Sequence, residues 1–230
     1  MKKIIIAIVV ALMASASIAD LISVTATNTD RQAVVYATSN VLAYVLQTTA
    51  RVGDDAAGNA FVYIVPFKLP ALTGGTTISE VSLDLYAATK TSFSANNIYI
   101  DILGIRVDSS STVLTNDAAP GSATLIADNV QLVNKDVTVP LSANYTLNTS
   151  YFQNIYDNDA NAAGKYVFLL LRTDGIDPIA SNSYLSYSTA DDAIEANRPV
   201  LNLTTIPEPA TVGMLGFGAL ITLVIRRIRR

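Results

Sequence analysis

The sequence predicts an all-β body, a sandwich or barrel with one short helix, set between two targeting segments. Three observations predict it. Residues 20–206 alternate between short apolar-patterned runs and Gly/Asn/Asp/Ser/Thr stretches, the rhythm of many short strands joined by turns. One segment alone, Ser150–Tyr156, spaces its apolar residues as a helix does. The two ends of the 230-residue chain differ in composition from everything between them.

At the N-terminus, Met1-Lys2-Lys3 is followed by an apolar run from Ile4 to Met13 and by Ala14-Ser15-Ala16-Ser17-Ile18-Ala19. A positive start, a short apolar stretch and small residues at the cleavage positions define a signal peptide. Residues 1–19 are therefore expected to be removed by signal peptidase after Ala19, with Ser17 three places back; cleavage after Ala16 is the alternative. A core helix opening a cytosolic protein is disfavoured, because a polar, Thr-rich segment follows at once.

The clearest strand is Phe61–Leu69, in which Phe61, Tyr63, Val65, Phe67 and Leu69 share one face at period two. Pro66 removes a ladder donor, which places this strand at an edge or at a bulge. Gly74-Gly75 marks a turn into Ile78–Tyr86, where Val81, Leu83 and Leu85 face in while Glu80, Ser82 and Asp84 face out. Further strands fit Ile98–Val107, with a bulge expected at Gly104, then Leu125–Val133 and Asp136–Leu141. Tyr166–Leu171 is apolar on both faces and reads as a central, covered strand. Ser183–Tyr187 and Pro199–Thr205 close the series. In the helical segment, Tyr151, Phe152, Ile155 and Tyr156 make the buried stripe, and Ser150 with Gln153 reads as a capping box. No internal repeat or second boundary is evident, so residues 20–206 are expected to form one domain with a single sizeable core.

The C-terminal segment, residues 207–230, has three ordered parts. Pro207-Glu208-Pro209 comes first, then a 16-residue run from Ala210 to Ile225 with only Thr211 and Thr222 polar, then Arg226, Arg227, Arg229 and Arg230. As a helix the run is about 24 Å long, a marginal span for a hydrocarbon core of about 30 Å, which snorkelling arginine stems help to complete. The arginines fix their end in the cytoplasm, as Lys2 and Lys3 do at the other terminus, so residues 20–208 are expected outside. This trio resembles the PEP-CTERM sorting tail. The resemblance implies an exosortase-like protease that cuts near the motif, an inner-membrane intermediate, and delivery to the cell envelope or extracellular matrix, mostly in bacteria that make exopolysaccharide. A plain single-pass anchor is the competing reading.

The body resembles, more loosely, DNRLRE-type domains, which are related to some carbohydrate-binding modules. The similar pieces are Phe67-Lys68-Leu69-Pro70, Gly74–Ile78, Val81–Tyr86, Asp136–Val139, the short helix, Gly164–Leu171, Leu185–Ser188 and Asn197–Leu201. Asn59-Ala60 stands where that family has an arginine, and Ile155 or Tyr156 where it has a tryptophan. The resemblance implies a jelly-roll-like antiparallel β-sandwich.

Chemistry is limited by composition. With no histidine and no cysteine, triads that need an imidazole base and metal sites built on imidazole or thiolate are excluded. Paired carboxylates for glycoside hydrolysis remain open in principle, but no pair stands out. The expectation is a non-enzymatic protein. Residues 20–208 hold all 19 acidic side chains against nine basic ones, a net charge of −10. That surface repels nucleic acid and anionic lipid and suits divalent cations or neutral glycans. Asp157, Asp159 and Asn161 have the oxygen spacing of a calcium loop, although Ala162 and Phe168 stand where an EF-hand needs Gly and Glu; a solvated helix-to-strand turn is the favoured alternative. No other cofactor is indicated. Tyr86, Tyr99 and Tyr184 are the tyrosines expected to face outward, where rings could stack on sugars. The leading expectation is thus an exported envelope or matrix protein. An exopolysaccharide-binding module is the alternative, and a polysaccharide hydrolase or lyase comes third.

Overall fold

A computed structural model of the chain describes residues 19–27, 33–36, 41–45, 47–54, 60–72, 75–91, 98–108, 123–133, 136–174 and 183–207. The expected signal segment up to Ile18, Glu208, Pro209, the Ala210–Ile225 run and Arg226, Arg227, Arg229 and Arg230 lie outside the described residues. Those described contain no helix long and apolar enough to cross a membrane.

The strands are β1 (Asp20–Thr25), β2 (Ala33–Tyr36), β3 (Val41–Val45), β4 (Thr49–Asp54), β5 (Ala60–Lys68), β6 (Thr76–Lys90), β7 (Ile98–Val107), β8 (Thr124–Val133), β9 (Leu141–Leu147), β10 (Tyr166–Thr173), β11 (Ser183–Ser188) and β12 (Val200–Pro207). One helix, α1 (Thr149–Asn158), and a 3-10 turn (Glu195–Asn197) complete the described elements. All the described pairings are antiparallel, in the order β1-β12-β6-β11-β4-β5-β10-β7-β8, with β9 on the other side of β6 and β2 against β3 and β5. The sheet curls on itself through β6. Its first part pairs β12 from Thr76 to Asp84, and its end pairs β11 from Ala87 to Lys90. The result is a β-sandwich in which β9-β6-β12-β1 faces β5-β10-β7-β8 across one core.

That core takes its residues by alternation. Val81, Leu83 and Leu85 of β6, Leu201 and Leu203 of β12, and Tyr145 and Leu147 of β9 meet Phe61, Tyr63, Val65 and Phe67 of β5 and Val167, Leu169 and Leu171 of β10. Phe152 and Ile155 of α1 join them. Strand β10 is central, paired with β5 on one side and β7 on the other. Its second face is also buried, in a separate cluster of Val62, Ile64, Leu103, Ile105, Phe168 and Leu170. This is why Tyr166–Leu171 has no polar alternation.

Several expectations are corrected. Asp136–Val139 is a turn, with Val137 O held by the Lys90 ammonium, and Pro140, which has no amide hydrogen, lies just ahead of the strand that does form, Leu141–Leu147. Helix α1 is capped by Asn148, whose side chain accepts from Tyr151 N, and not by Ser150. Gln153 reaches across to accept from Ile78 N (2.8 Å), fastening the helix to β6, and so does not close a capping box. Gly104 is not a bulge. It pairs regularly with Leu169, and a β-carbon there would sit 2.7 Å from the Tyr151 ring, so glycine makes room for the helix. The register shifts belong to β8 opposite Ile100–Leu103, where Asn129 takes a φ of 51° and its amide donates to Asp101. Pro66 lies in an interior strand but at a local edge. Leu69 N points at β10, so by alternation the Pro66 nitrogen points away, beyond described β2 residues that pair no farther than Ile64. Strands β1 to β4 are not individually predicted by the sequence pattern.

Candidate functional site

The outer face of β9-β6-β12-β1 carries a row of polar side chains because each of the four strands sets at least one polar residue between inward-facing apolar ones. Asn144 of β9 lies opposite Asp84 of β6, Ser82 opposite Asn202 of β12, and Asn202 opposite Ser23 of β1. Hydrogen bonds link the row. Asn144 Nδ2 donates to Asp84 Oδ1 (2.6 Å) and to Ser82 Oγ (3.1 Å), Asn202 Nδ2 donates to Asp84 Oδ2 (2.7 Å), and Ser23 Oγ donates to Asn202 Oδ1 (2.7 Å). Asp84 is the hub, and its carboxylate keeps lone pairs beyond these two bonds. One end of the row opens into a concavity of about 340 Å³ lined by Asp84, Tyr86, Ser142, Asn144, Asn197 and Arg198. The rim at Asn197 and Arg198 is shaped by Asp192, whose carboxylate accepts from Ile194 N (2.8 Å) while its carbonyl accepts from Arg198 Nε (2.9 Å). Asp192 thus serves the turn.

The three sequence-predicted tyrosines are not brought together. Tyr86 is half-buried in the concavity just described. Tyr99, on β7, is 40 % exposed. Tyr184, on β11, is half-buried, with the Arg51 guanidinium 4.5 Å from its ring centre and Phe61 edge-on at 6.3 Å. Gly53 lets β4 and β11 approach closely beside Tyr184: its φ is 136°, and a β-carbon would fall 2.3 Å from Ser183 O.

The oxygen-rich turn after α1 is occupied by ion pairs. Asp159 Oδ2 accepts from Arg106 Nη2 and from Lys165 Nζ (3.0 Å), and Asp159 Oδ1 accepts from Asn161 N (2.9 Å). Asp108 adds contacts of 3.3 Å to both cations. The Lys165 hydrogen bond, with the Asn161 amide next, holds the Asp159 carboxyl below its usual range, and Asp159 in turn raises Lys165. Asp157 accepts instead from Gln153 Nε2 (2.8 Å), one turn back along α1. Among the described residues, no three acidic side chains converge in a way that could hold a metal ion.

The third feature is the junction of body and tail. Strand β12 runs to Pro207, pairing Ile206 with Thr77 and Pro207 with Thr76. Asp20, the expected first residue of the mature chain, pairs with Thr205, and Thr205 Oγ1 lies 3.4 Å from its carbonyl. Asp20 and the start of the sorting motif at Pro207 thus stand at one corner of the sheet, an arrangement that no local sequence signal carries.

Comparison with known proteins identifies this end of the chain. Residues 205–230 match the family model of the PEP-CTERM protein-sorting motif. Such a motif implies an exported chain that transits the membrane and is processed by exosortase-type machinery. No curated protein matches the chain. Among solved structures, the chain is similar to that of infectious bursal disease virus Gx strain at 11 % identity and a TM-score of 0.28, with 84 % of this chain and 37 % of that one covered. For the Gt strain the values are 10 %, 0.23, 84 % and 37 %. The chain therefore spans little more than a third of the length of either.

Proposed function

We propose that this is a non-enzymatic protein of the cell envelope or extracellular matrix. Signal peptidase frees its N-terminus, an exosortase-like protease removes its tail, and the β-sandwich is the part that remains. The single observation carrying this reading is a sorting motif joined without a linker to the last strand of a sandwich. Changing Pro207-Glu208-Pro209 to alanines should leave the full-length form in the inner membrane. Normal release of that variant would contradict the sorting step.

The row from Asn144 to Ser23 favours a second reading, in which the body holds a neutral exopolysaccharide. A line of amide, carboxylate and hydroxyl groups across four strands, beside one tyrosine, suits sugar hydroxyls along an extended chain. The net charge of −10 over residues 20–208 disfavours anionic polymers. A glycan array probed with the secreted protein tests this, and binding only to acidic glycans would count against it.

A further inference from the structure

The ladder between β12 and β6 does not end where the body ends; it continues into the sorting motif. Pro207, the motif's first residue, is opposite Thr76, and Ile206 is opposite Thr77. Only Glu208 and Pro209 separate Pro207 from the apolar run that begins at Ala210. Even fully extended, that stretch reaches about 10 Å. An endopeptidase takes several consecutive residues as an extended strand, through their main-chain groups. On the body side of the motif no such residues are free, because the sheet already holds them.

The paired end is nevertheless the weakest part of the ladder. A register shift falls just before it: Thr204 pairs with Glu80 and Thr205 with Ile78, which leaves Ser79 extra in β6. Strand β1 flanks β12 only as far as Thr205. Ile206 is 36 % exposed, whereas Leu201 and Leu203 are fully buried. Pro207 has no amide hydrogen to give the ladder. Two residues beyond a bulge can therefore leave the sheet without disturbing the core, with Thr204–Thr205 as the hinge.

We propose that Ile206–Pro207 is a latch, so that the folded body holds the start of the sorting motif in its sheet and the protease acts when these two residues peel from Thr76–Thr77. The proposal rests on the reading that the tail is removed by proteolysis. It makes processing depend on the body as well as on the tail, and it makes the β6 edge at Thr76–Thr77 the protease's direct competitor for the motif.

The chain has no cysteine, which permits a clean test in its native host. Directly opposed residues of an antiparallel ladder have Cα atoms about 4.5–5.5 Å apart, within disulfide range. The pair Thr77→Cys with Ile206→Cys pins the latch. The pair Glu80→Cys with Thr204→Cys pins the same strands above the bulge and leaves the latch free. Expected is loss of tail removal in the first oxidised form, with membrane-bound precursor accumulating until reductant is added, and wild-type processing in the second. As a measurement that needs no disulfide, a six-residue Gly-Ser insertion between Ile206 and Pro207 should shorten the precursor's half-life. Wild-type processing of the pinned form, or an insertion that leaves the half-life unchanged or longer, overturns the latch while tail removal stands. A wild-type protein that keeps its tail overturns the removal reading itself, and the latch with it.

Discussion

Strands β6 and β10 lie on opposite sides of one core and differ on the side turned away from it. The outer positions of β6, Ser82, Asp84 and Tyr86, are polar or amphipathic, and they bond to Asn144 and Asn202 on the neighbouring strands or line the concavity. The outer positions of β10, Phe168 and Leu170, are fully buried with Val62, Ile64, Leu103 and Ile105. Both strands follow the same period-two geometry. What differs is solvent. One face is wet and free to carry specific polar contacts, and the other is committed to packing. Polar side chains able to meet a ligand are therefore on β9-β6-β12-β1, and the doubly covered packing is on β5-β10-β7.

This contrast can be broken by substitution. Phe168→Ala should cost about 3–5 kcal/mol in urea unfolding, because it empties a fully buried ring site. A loss below about 1 kcal/mol would show that the outer face of β10 is not a true core. Gly104→Ala should cost about 1–3 kcal/mol by forcing Tyr151 off β7. Combining it with Tyr151→Ala should be less than additive, since the clash is then gone. On the wet face, Asp84→Ala strands the donors of Asn144 and Asn202 where water can reach them, so a loss of about 1 kcal/mol is expected. The same change should abolish polysaccharide retention if the second reading holds.

The smallest effect concerns pH. Asp159 is depressed chiefly by its Lys165 hydrogen bond, so its contribution is present above the unfolded carboxylate value of about 3.9 and is lost as pH falls through its lower folded value. Asp101, raised chiefly by burial, has the opposite sign. Its contribution is present below the unfolded value and is lost as pH rises through the folded one. Asp159→Asn should therefore flatten the acid limb of a stability–pH profile, whereas Asp101→Asn should relieve a penalty on the neutral side. An unchanged acid limb in Asp159→Asn would mean that the Arg106 and Lys165 contacts contribute nothing.

The legibility of the sequence follows the same division between wet and covered faces. Alternation in Val81–Leu85 translates into an outer face of polar side chains, with Asp84 half-exposed and Ser82 buried beneath the hydrogen-bonded row, and uninterrupted apolarity in Tyr166–Leu171 translates into a covered one. Strand β9 escaped because its inward set is weak, with only Tyr145 and Leu147 buried, and because Asn144 and Thr146 gave it the polarity of a loop. The bond from Ile78 N to Gln153 spans 75 residues, so a local capping pattern had no means of revealing it. Tyr184 was legible as a strand tyrosine, but the arginine over its ring comes from β4, a strand with no clear alternation. Of the row centred on Asp84, only Ser82 and Asp84 itself are legible as outward positions; Asn144, Asn202 and Ser23 carry no such signal. The row's assembly depends on the β1-β12-β6-β9 register.

The most direct test of the account is to define both ends of the protein recovered from the envelope or culture fluid of its native host, by intact mass and terminal sequencing. The account predicts a chain that begins at Asp20 and lacks the peptide bearing Arg226, Arg227, Arg229 and Arg230. Recovery of that arginine peptide on the wild-type protein, still in the inner membrane, would contradict it and leave the tail an ordinary anchor.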